Sequence, residues 1–349
     1  RRVEGGPCTL SVQRIDPSVR AYTSRDMQLD LQLMNPPDWA IDPKYADVES
    51  NQWRYPHRED AYRAYVRALV KRYGRHAHFV QVFNEPDQPL FWAGEPSEFI
   101  DTFNQAAEEI REQSRDLPIT NGGYAFIELD RTRYFVEHLK SRLDLISYHS
   151  HGNLKELEHD FNLARQLHRD AGYESPRFIN TETGYAAWRL DQERAQAIGV
   201  LHKLLYCWAH GDEGILLFCS RMTIGPSRVG RDFGFVAYDF CPRFAYGATA
   251  AFMRTFADAR FDRVLTERDG THAYAFKTPT GRKVALFATG PSRKVTITSD
   301  ARDAVVIDAM GNRARAGDAR NVTVNAGAYP VYVEFEGATR VALANDGAR

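Results

Sequence analysis

Two glutamates, Glu85 and Glu182, close two short apolar segments, FVQVFNE and RFINTE, that lie 97 positions apart. A pair of carboxyl groups brought to one place can divide the work of breaking a glycosidic bond. One, protonated, gives its proton to the leaving oxygen; the other, ionised, attacks the anomeric carbon or activates a water. Their separation decides which: about 5 Å gives retention through a covalent intermediate, whereas roughly 6.5–9.5 Å leaves room for water and gives inversion. Only the fold can bring them together.

The elements that would do so are legible as alternation. MQLDLQLM (27–34), FVQVF (79–83), PITNGGY (118–124), LDLISYHS (143–150), RFINTE (177–182) and GILLFCS (214–220) have the length and composition of strands. Between them run helical stripes. The clearest sets Tyr62, Tyr65, Val66, Leu69, Val70 and Tyr73 on one face ahead of Gly74; Phe99, Phe103, Ala107 and Ile110 form another, and Leu157, Phe161, Ala164 and Leu167 a third. Repeated strand and helix predict a parallel α/β design. The unusual polar residues gather where strands end: Asn35 to Trp39, Asn84-Glu85, Tyr148 to His151 and Thr181 to Gly184. That distribution around a ring favours a (β/α)8 TIM barrel over an open sheet, which would collect its ligand groups at one switch point. With Arg1-Arg2-Val3-Glu4 as the second strand, seven strands are visible. The first is then expected upstream or on a separate N-terminal fragment.

Beyond a helical segment near 243–257 the texture changes to short strands separated by turn residues such as Asp269-Gly270 and Gly311-Asn312. HAYAFKT, KVALFAT, KVTITS, AVVIDAM, NVTVNA and YPVYVEFE predict an antiparallel β-sandwich. The expected organisation is therefore a barrel over 1–257, a sandwich over 258–341 and a tail over 342–349.

Asn84-Glu85-Pro86 on a fourth strand and Thr181-Glu182-Thr183-Gly184 on a seventh resemble the retaining glycoside hydrolases of clan A. The likeness extends to Pro37-Asp38-Trp39, to Tyr148–His151 and to the appended sandwich, and within the clan it looks most like family 39. The resemblance implies Glu85 as acid/base, Glu182 as nucleophile and Asn84 as a donor to the sugar 2-hydroxyl. It also implies that Arg1 or Arg2 holds the nucleophile ionised, and that Tyr148, His149 or His151 orients it or binds substrate. Trp39, Trp53, Trp92 and Trp188 are expected in loops where indole faces could stack on sugar rings. The implied substrate is an oligo- or polysaccharide; bacterial exopolysaccharides are among those the family takes, and a secreted or periplasmic location is expected. One departure stands out: the clan's tryptophan after the eighth strand is replaced by Phe218, with Ser220 and Arg221 beyond it. The alternative reading is a catalytically inactive carbohydrate-binding barrel.

Composition narrows the partners. Lys plus Arg (45) nearly balances Asp plus Glu (46), with no basic run to suit nucleic acid. No apolar run is long enough to span a membrane. The most apolar helix, AIGVLHKLLYCWAH, carries His202 and Lys203 and reads as core. The histidines lack metal-site spacing, and no metal or organic cofactor is expected. Cys8, Cys207, Cys219 and Cys241 show no C-x-x-C pattern, leaving free thiols or a Cys219–Cys241 disulfide.

Overall fold

The computed structural model describes residues 15–34, 38–48, 52–187, 192–222 and 232–344. They fall into two compact units, one of Arg1–Ser150 with Glu158–Glu182, the other of His151–Leu157 with Thr183–Arg349. The expected strand at Arg1–Glu4 lies outside the described residues.

In the first unit α1 (Asp16–Thr23) leads into β1 (Leu29–Leu33), followed by 3-10 turns, α2 (Glu59–Tyr73), β2 (Ala77–Val82), α3 (Pro96–Gln113), β3 (Ile119–Thr120) and α4 (Asp130–Leu139). Then come β4 (Ile146–His151), α5 (Leu154–Asp170) and β5 (Phe178–Gly184), which run across the division between the units. β1, β2 and β3 pair in parallel, Gln32 beside Gln81 and Val80 beside Ile119. Parallel bridges at Thr120–Leu145 and Tyr124–Tyr148 pass the order on towards β4, and β4 neighbours β5. Strands thus succeed one another in chain order without the reversal that an open doubly wound sheet requires.

The helices form for the reasons their stripes suggest. α2 buries Tyr62, Val66, Leu69, Val70 and Tyr73, and carries Glu59 and Asp60 in its first turn and Lys71 and Arg72 in its last, matching the helix dipole. α3 starts with Pro96 and a reciprocal capping box between Glu95 and Glu98. Between these helices Arg67 grips the buried Glu109 with two hydrogen bonds of 2.9 Å. Such bidentate pairing is what makes a buried carboxylate tolerable.

The second unit contains α6 (Glu193–Ala209), β6 (Ile215–Leu217) and α7 (Phe244–Thr255), then nine strands. These are β7 (Arg260–Arg268), β8 (Thr271–Thr278), β9 (Gly281–Ala288), β10 (Arg293–Ser299), β11 (Asp303–Ile307), β12 (Arg313–Arg315), β13 (Asn321–Ala326), β14 (Val331–Glu336) and β15 (Val341–Leu343). They form a six-stranded sheet in the order β12-β11-β14-β9-β8-β7 and a three-stranded sheet β13-β10-β15. Every pairing recorded for them is antiparallel. One core, including Val284, Leu286, Ile297, Val322, Val324 and Val333, draws on both sheets. β13 shows why: Val322, Val324 and Ala326 point in while Asn321, Thr323 and Asn325 point out. β15 extends into the stretch expected to be tail.

Two buried polar residues of α6, His202 and Lys203, have specific work. His202 stacks on Phe287 at 3.9 Å and bonds the Ala328 carbonyl at 2.7 Å, while burial lowers its pKa to about 4, so the ring is neutral near pH 7. Lys203 donates to the Gly184 carbonyl at 2.6 Å and so fixes the end of β5. Cys219 and Cys241 are not joined in a disulfide.

Candidate active site

Glu85 is held in an uncommon backbone state. Phe83 and Glu85 both have positive φ, +75° and +43°, which non-glycine residues adopt rarely and which concentrates at functional sites. The turn is secured by Glu85 N donating to the Gly122 carbonyl at 2.7 Å. The glycine pair 122–123 makes the approach possible. A Cβ on Gly122 would stand 2.7 Å from Pro86, and one on Gly123, whose φ is +74°, would stand 2.1 Å from His149 Nε2.

Glu85 is 7% exposed, and both its carboxyl oxygens are engaged. His149 Nδ1 lies 2.7 Å from Oε1, and Gln88 Nε2 donates to Oε2. The other nitrogen of His149 is 3.2 Å from Thr181 Oγ1, one residue before Glu182. Within this unit a carboxylate oxygen of Glu85 and one of Glu182 lie within 4.8 Å of each other. Two residues far apart in the chain are thus brought to one place at the ends of β2 and β5.

Other polar groups brace the same strand ends. Asn84, 8% exposed, accepts a 2.9 Å bond from Gln32 Nε2 on β1. Asp87 is fully buried, and its Oδ2 accepts from the backbone N–H groups of Ala125 (2.9 Å) and Phe126 (2.6 Å), tying the loop after β2 to the loop after β3. Burial pushes its carboxyl up to about 6 against those hydrogen bonds. Asn121 spans β3 and β4, donating to the Ser147 carbonyl at 2.7 Å and accepting from Ser147 N at 2.6 Å. On β1, burial raises Asp30 to about 7 against the pull of His149, and its Oδ1 is enclosed without a hydrogen-bond partner among the described residues.

The remaining expected site residues divide. His149 joins the site, but through Glu85 rather than through Glu182. Tyr148 is fully buried and meets Phe161 of α5 edge-on at 6.4 Å, on the strand face opposite Ser147 and His149. Trp92 is likewise a core residue, 0% exposed, packed against Phe83 and Phe99 at 5.2 and 5.4 Å with its Nε1 donating to the Glu95 carbonyl. It anchors the loop after β2 and offers no face to a sugar. Trp39 is half-buried in a 3-10 turn after β1, with Nε1 enclosed and no acceptor for it among the described residues. Trp53 is half-buried beside Phe91. Arg1, Arg2 and Trp188 lie outside the described residues.

In the second unit His151 sits against Phe218 and Phe233, at 5.7 and 5.0 Å. It lines a pocket of about 550 Å³ with Asn153, Glu156, Tyr185, Gln192 and Phe233. Arg221 lies 4.2 Å over the ring of Phe240 and donates to the Tyr238 carbonyl. Gln32, Gln88 and the Gly122-Gly123 pair were not singled out from the sequence. The available signals were polar residues at alternate positions of an apolar strand, and a glycine pair at a strand end.

The site is a close carboxylate pair carried on the ends of chain-ordered strands. No protein-family model matches the chain, and no curated protein matches it. Solved structures do. A family 39 glycoside hydrolase from the gut symbiont Bacteroides cellulosilyticus WH2 aligns with a TM-score of 0.75 and 13% identity, over 96% of this chain and 73% of that one. A family 39 β-xylosidase from Caulobacter crescentus aligns at 0.68 and 15%, over 96% and 85%. A family 30 endoxylanase from Clostridium papyrosolvens C71 aligns at 0.65 and 13%, over 97% and 85%. The chain therefore has the α/β fold of the clan A glycoside hydrolases, and the likeness to family 39 holds in that fold.

Proposed function

We propose that the protein is a retaining glycoside hydrolase with Glu182 as nucleophile and Glu85 as acid/base. The observation that carries this reading is the approach of one carboxylate oxygen of each to within 4.8 Å, a spacing that suits direct attack rather than the wider gap of an inverting site. Glu85, protonated, gives its proton to the leaving oxygen as Glu182 bonds to the anomeric carbon; then, as carboxylate, it takes a proton from the water that releases the sugar. His149 and Gln88 hold its two oxygens in place through both halves. Asn84 offers a hydrogen bond to the hydroxyl beside the reacting carbon, and the enclosed Nε1 of Trp39 is a further candidate donor. Neither step calls for a metal or cofactor.

The substrate class that fits is an oligo- or polysaccharide, bacterial exopolysaccharide included, and a secreted or periplasmic location suits it. A closed (β/α)8 barrel over 1–257 belongs to this proposal. So does a β-sandwich over 258–341. The test is a panel of aryl glycosides and polysaccharides. Glu182→Gly is expected to lose at least about 10³-fold in kcat and to form a glycosyl azide when azide is added. A folded Glu182→Gly variant with undiminished turnover would sink the assignment, and an inert wild type across the panel would favour the carbohydrate-binding alternative.

A further inference from the structure

Asn84 has two chemically opposite ends of nearly the same size. Its carbonyl oxygen can only accept and its amide can only donate, so the end that faces a ligand decides whether a hydroxyl is met as acceptor or as donor. The backbone on both sides is pinned by the positive φ of Phe83 and Glu85, leaving the side-chain amide to be set by its partner. That partner is Gln32. Its Nε2 donates to Asn84 Oδ1 at 2.9 Å, the hydrogen bond the structure gives to the Asn84 side chain.

Gln32 is well placed for this. β1 alternates, with Leu31 and Leu33 buried on one face and Asp30 and Gln32 on the other, and Gln32 lies in register with Gln81 of β2, three residues before Asn84. Gln81 is itself buried and spends its amide on the Phe83 and Gly122 carbonyls, at 3.4 and 3.3 Å, so its donor is directed to the strand end. An apolar residue at 32 would leave Asn84 free to turn over.

We infer that Gln32 is a positioning residue: by occupying Asn84 Oδ1 it turns Asn84 Nδ2 outward as a donor, and so makes the enzyme select sugars with a hydroxyl beside the reacting carbon. The inference rests on the glycosidase reading above. Because the contact strengthens as positive charge builds on the ring, its loss is read in kcat more than in KM.

The test is a double-mutant cycle on the ratio of kcat/KM for an aryl glycoside over its 2-deoxy counterpart. Gln32→Met keeps the length of the side chain and removes the donor; it is expected to lower the ratio about fivefold or more, chiefly through kcat. In an Asn84→Ala background the same change is expected to move the ratio by less than about twofold. A ratio unaltered by Gln32→Met, or one that falls equally in both backgrounds, would overturn the inference while leaving the catalytic pair intact. Absence of hydrolysis by the wild type on every glycoside would instead remove the catalytic reading, and this inference with it.

Discussion

At the scale of single residues, the site is unusual in how much carboxyl it buries. Glu85 is compensated by hydrogen bonds to both oxygens, and Asp87 by two backbone donors to its Oδ2. Asp30 has no such backbone donors among the described residues, and burial lifts its pKa from 3.8 to about 7. The consequence for stability has a definite sign. Between about pH 4 and pH 7 the folded chain keeps the Asp30 proton while the unfolded chain has released it, so this group lowers stability as pH rises, by about 1.4 kcal/mol per pH unit. The loss is complete above pH 7. Asn cannot ionise, so Asp30→Asn is expected to be more stable relative to wild type at pH 8 than at pH 5, by about 2–3 kcal/mol. Denaturant titrations of both proteins at the two pH values measure the difference. An equal gap at pH 5 and pH 8 would mean that Asp30 titrates as it does in the unfolded chain.

At the scale of elements, the β2 end is built from outside itself. Phe83 and Glu85 are strained, and what stabilises them arrives from the loop after β3: the Gly122 carbonyl, the space left by Gly122 and Gly123, and the N–H groups that Asp87 gathers. Gly123→Ala should therefore strike the site without touching either glutamate. The new methyl would meet His149 Nε2 in a backbone conformation that alanine adopts reluctantly, at a cost of about 1–3 kcal/mol. Displacing His149 from Glu85 Oε1 should lower kcat/KM by at least about tenfold. A Gly123→Ala protein with wild-type activity and melting temperature would show that the pair gives no such clearance. Elements with strong periodicity were readable beforehand. The stripe at Tyr62–Tyr73 is α2, and the strand cores at 79–82, 146–150 and 178–182 are strands. α1, α4, β7, β12 and β15 were not singled out, being short or carrying mixed polar and apolar residues without a clear stripe. β3 shrinks to Ile119–Thr120 because Asn121 replaces strand pairing with its own side chain. The two glutamates were legible because they stand at strand ends, whereas Gln32 and Gln88 act through partners that only the fold supplies. Trp92 failed as a sugar platform for the complementary reason: a large aromatic near a strand end more often serves the core.

At the scale of the whole chain, the division into compact units does not follow the change of sequence texture near residue 258. The second unit reaches back to Thr183 and joins α6 and α7 to the C-terminal sheets. The contacts explain this. Trp208 of α6 packs against Phe276 of β8 at 4.7 Å, Phe256 after α7 meets Phe276 and Tyr332 at 4.9 and 5.2 Å, and His202 stacks on Phe287. Lys283 of β9, almost fully buried, donates to the Thr255 carbonyl at 2.6 Å and to Asp258 at 2.7 Å, capping the end of α7 from the sheet. The strands are thus one wall of the core in which α6 sits, and α6 holds the end of β5 through Lys203. If that is their work, ending the chain at Asp258 should do more than delete an accessory. Trp208, Phe252 and Phe256 would lose their partners together, each worth about 3–5 kcal/mol on the scale of large-to-small core changes, against a total stability of about 5–15 kcal/mol for a typical domain. The shortened protein is expected to be insoluble or to lack a cooperative unfolding transition, whereas Phe287→Ala in the full chain should fold with a lowered melting temperature. Soluble yield and near-ultraviolet circular dichroism distinguish the cases. A soluble, cooperatively melting 1–258 fragment would make the C-terminal sheets a separable appendage and return the boundary to the point where the sequence changes character.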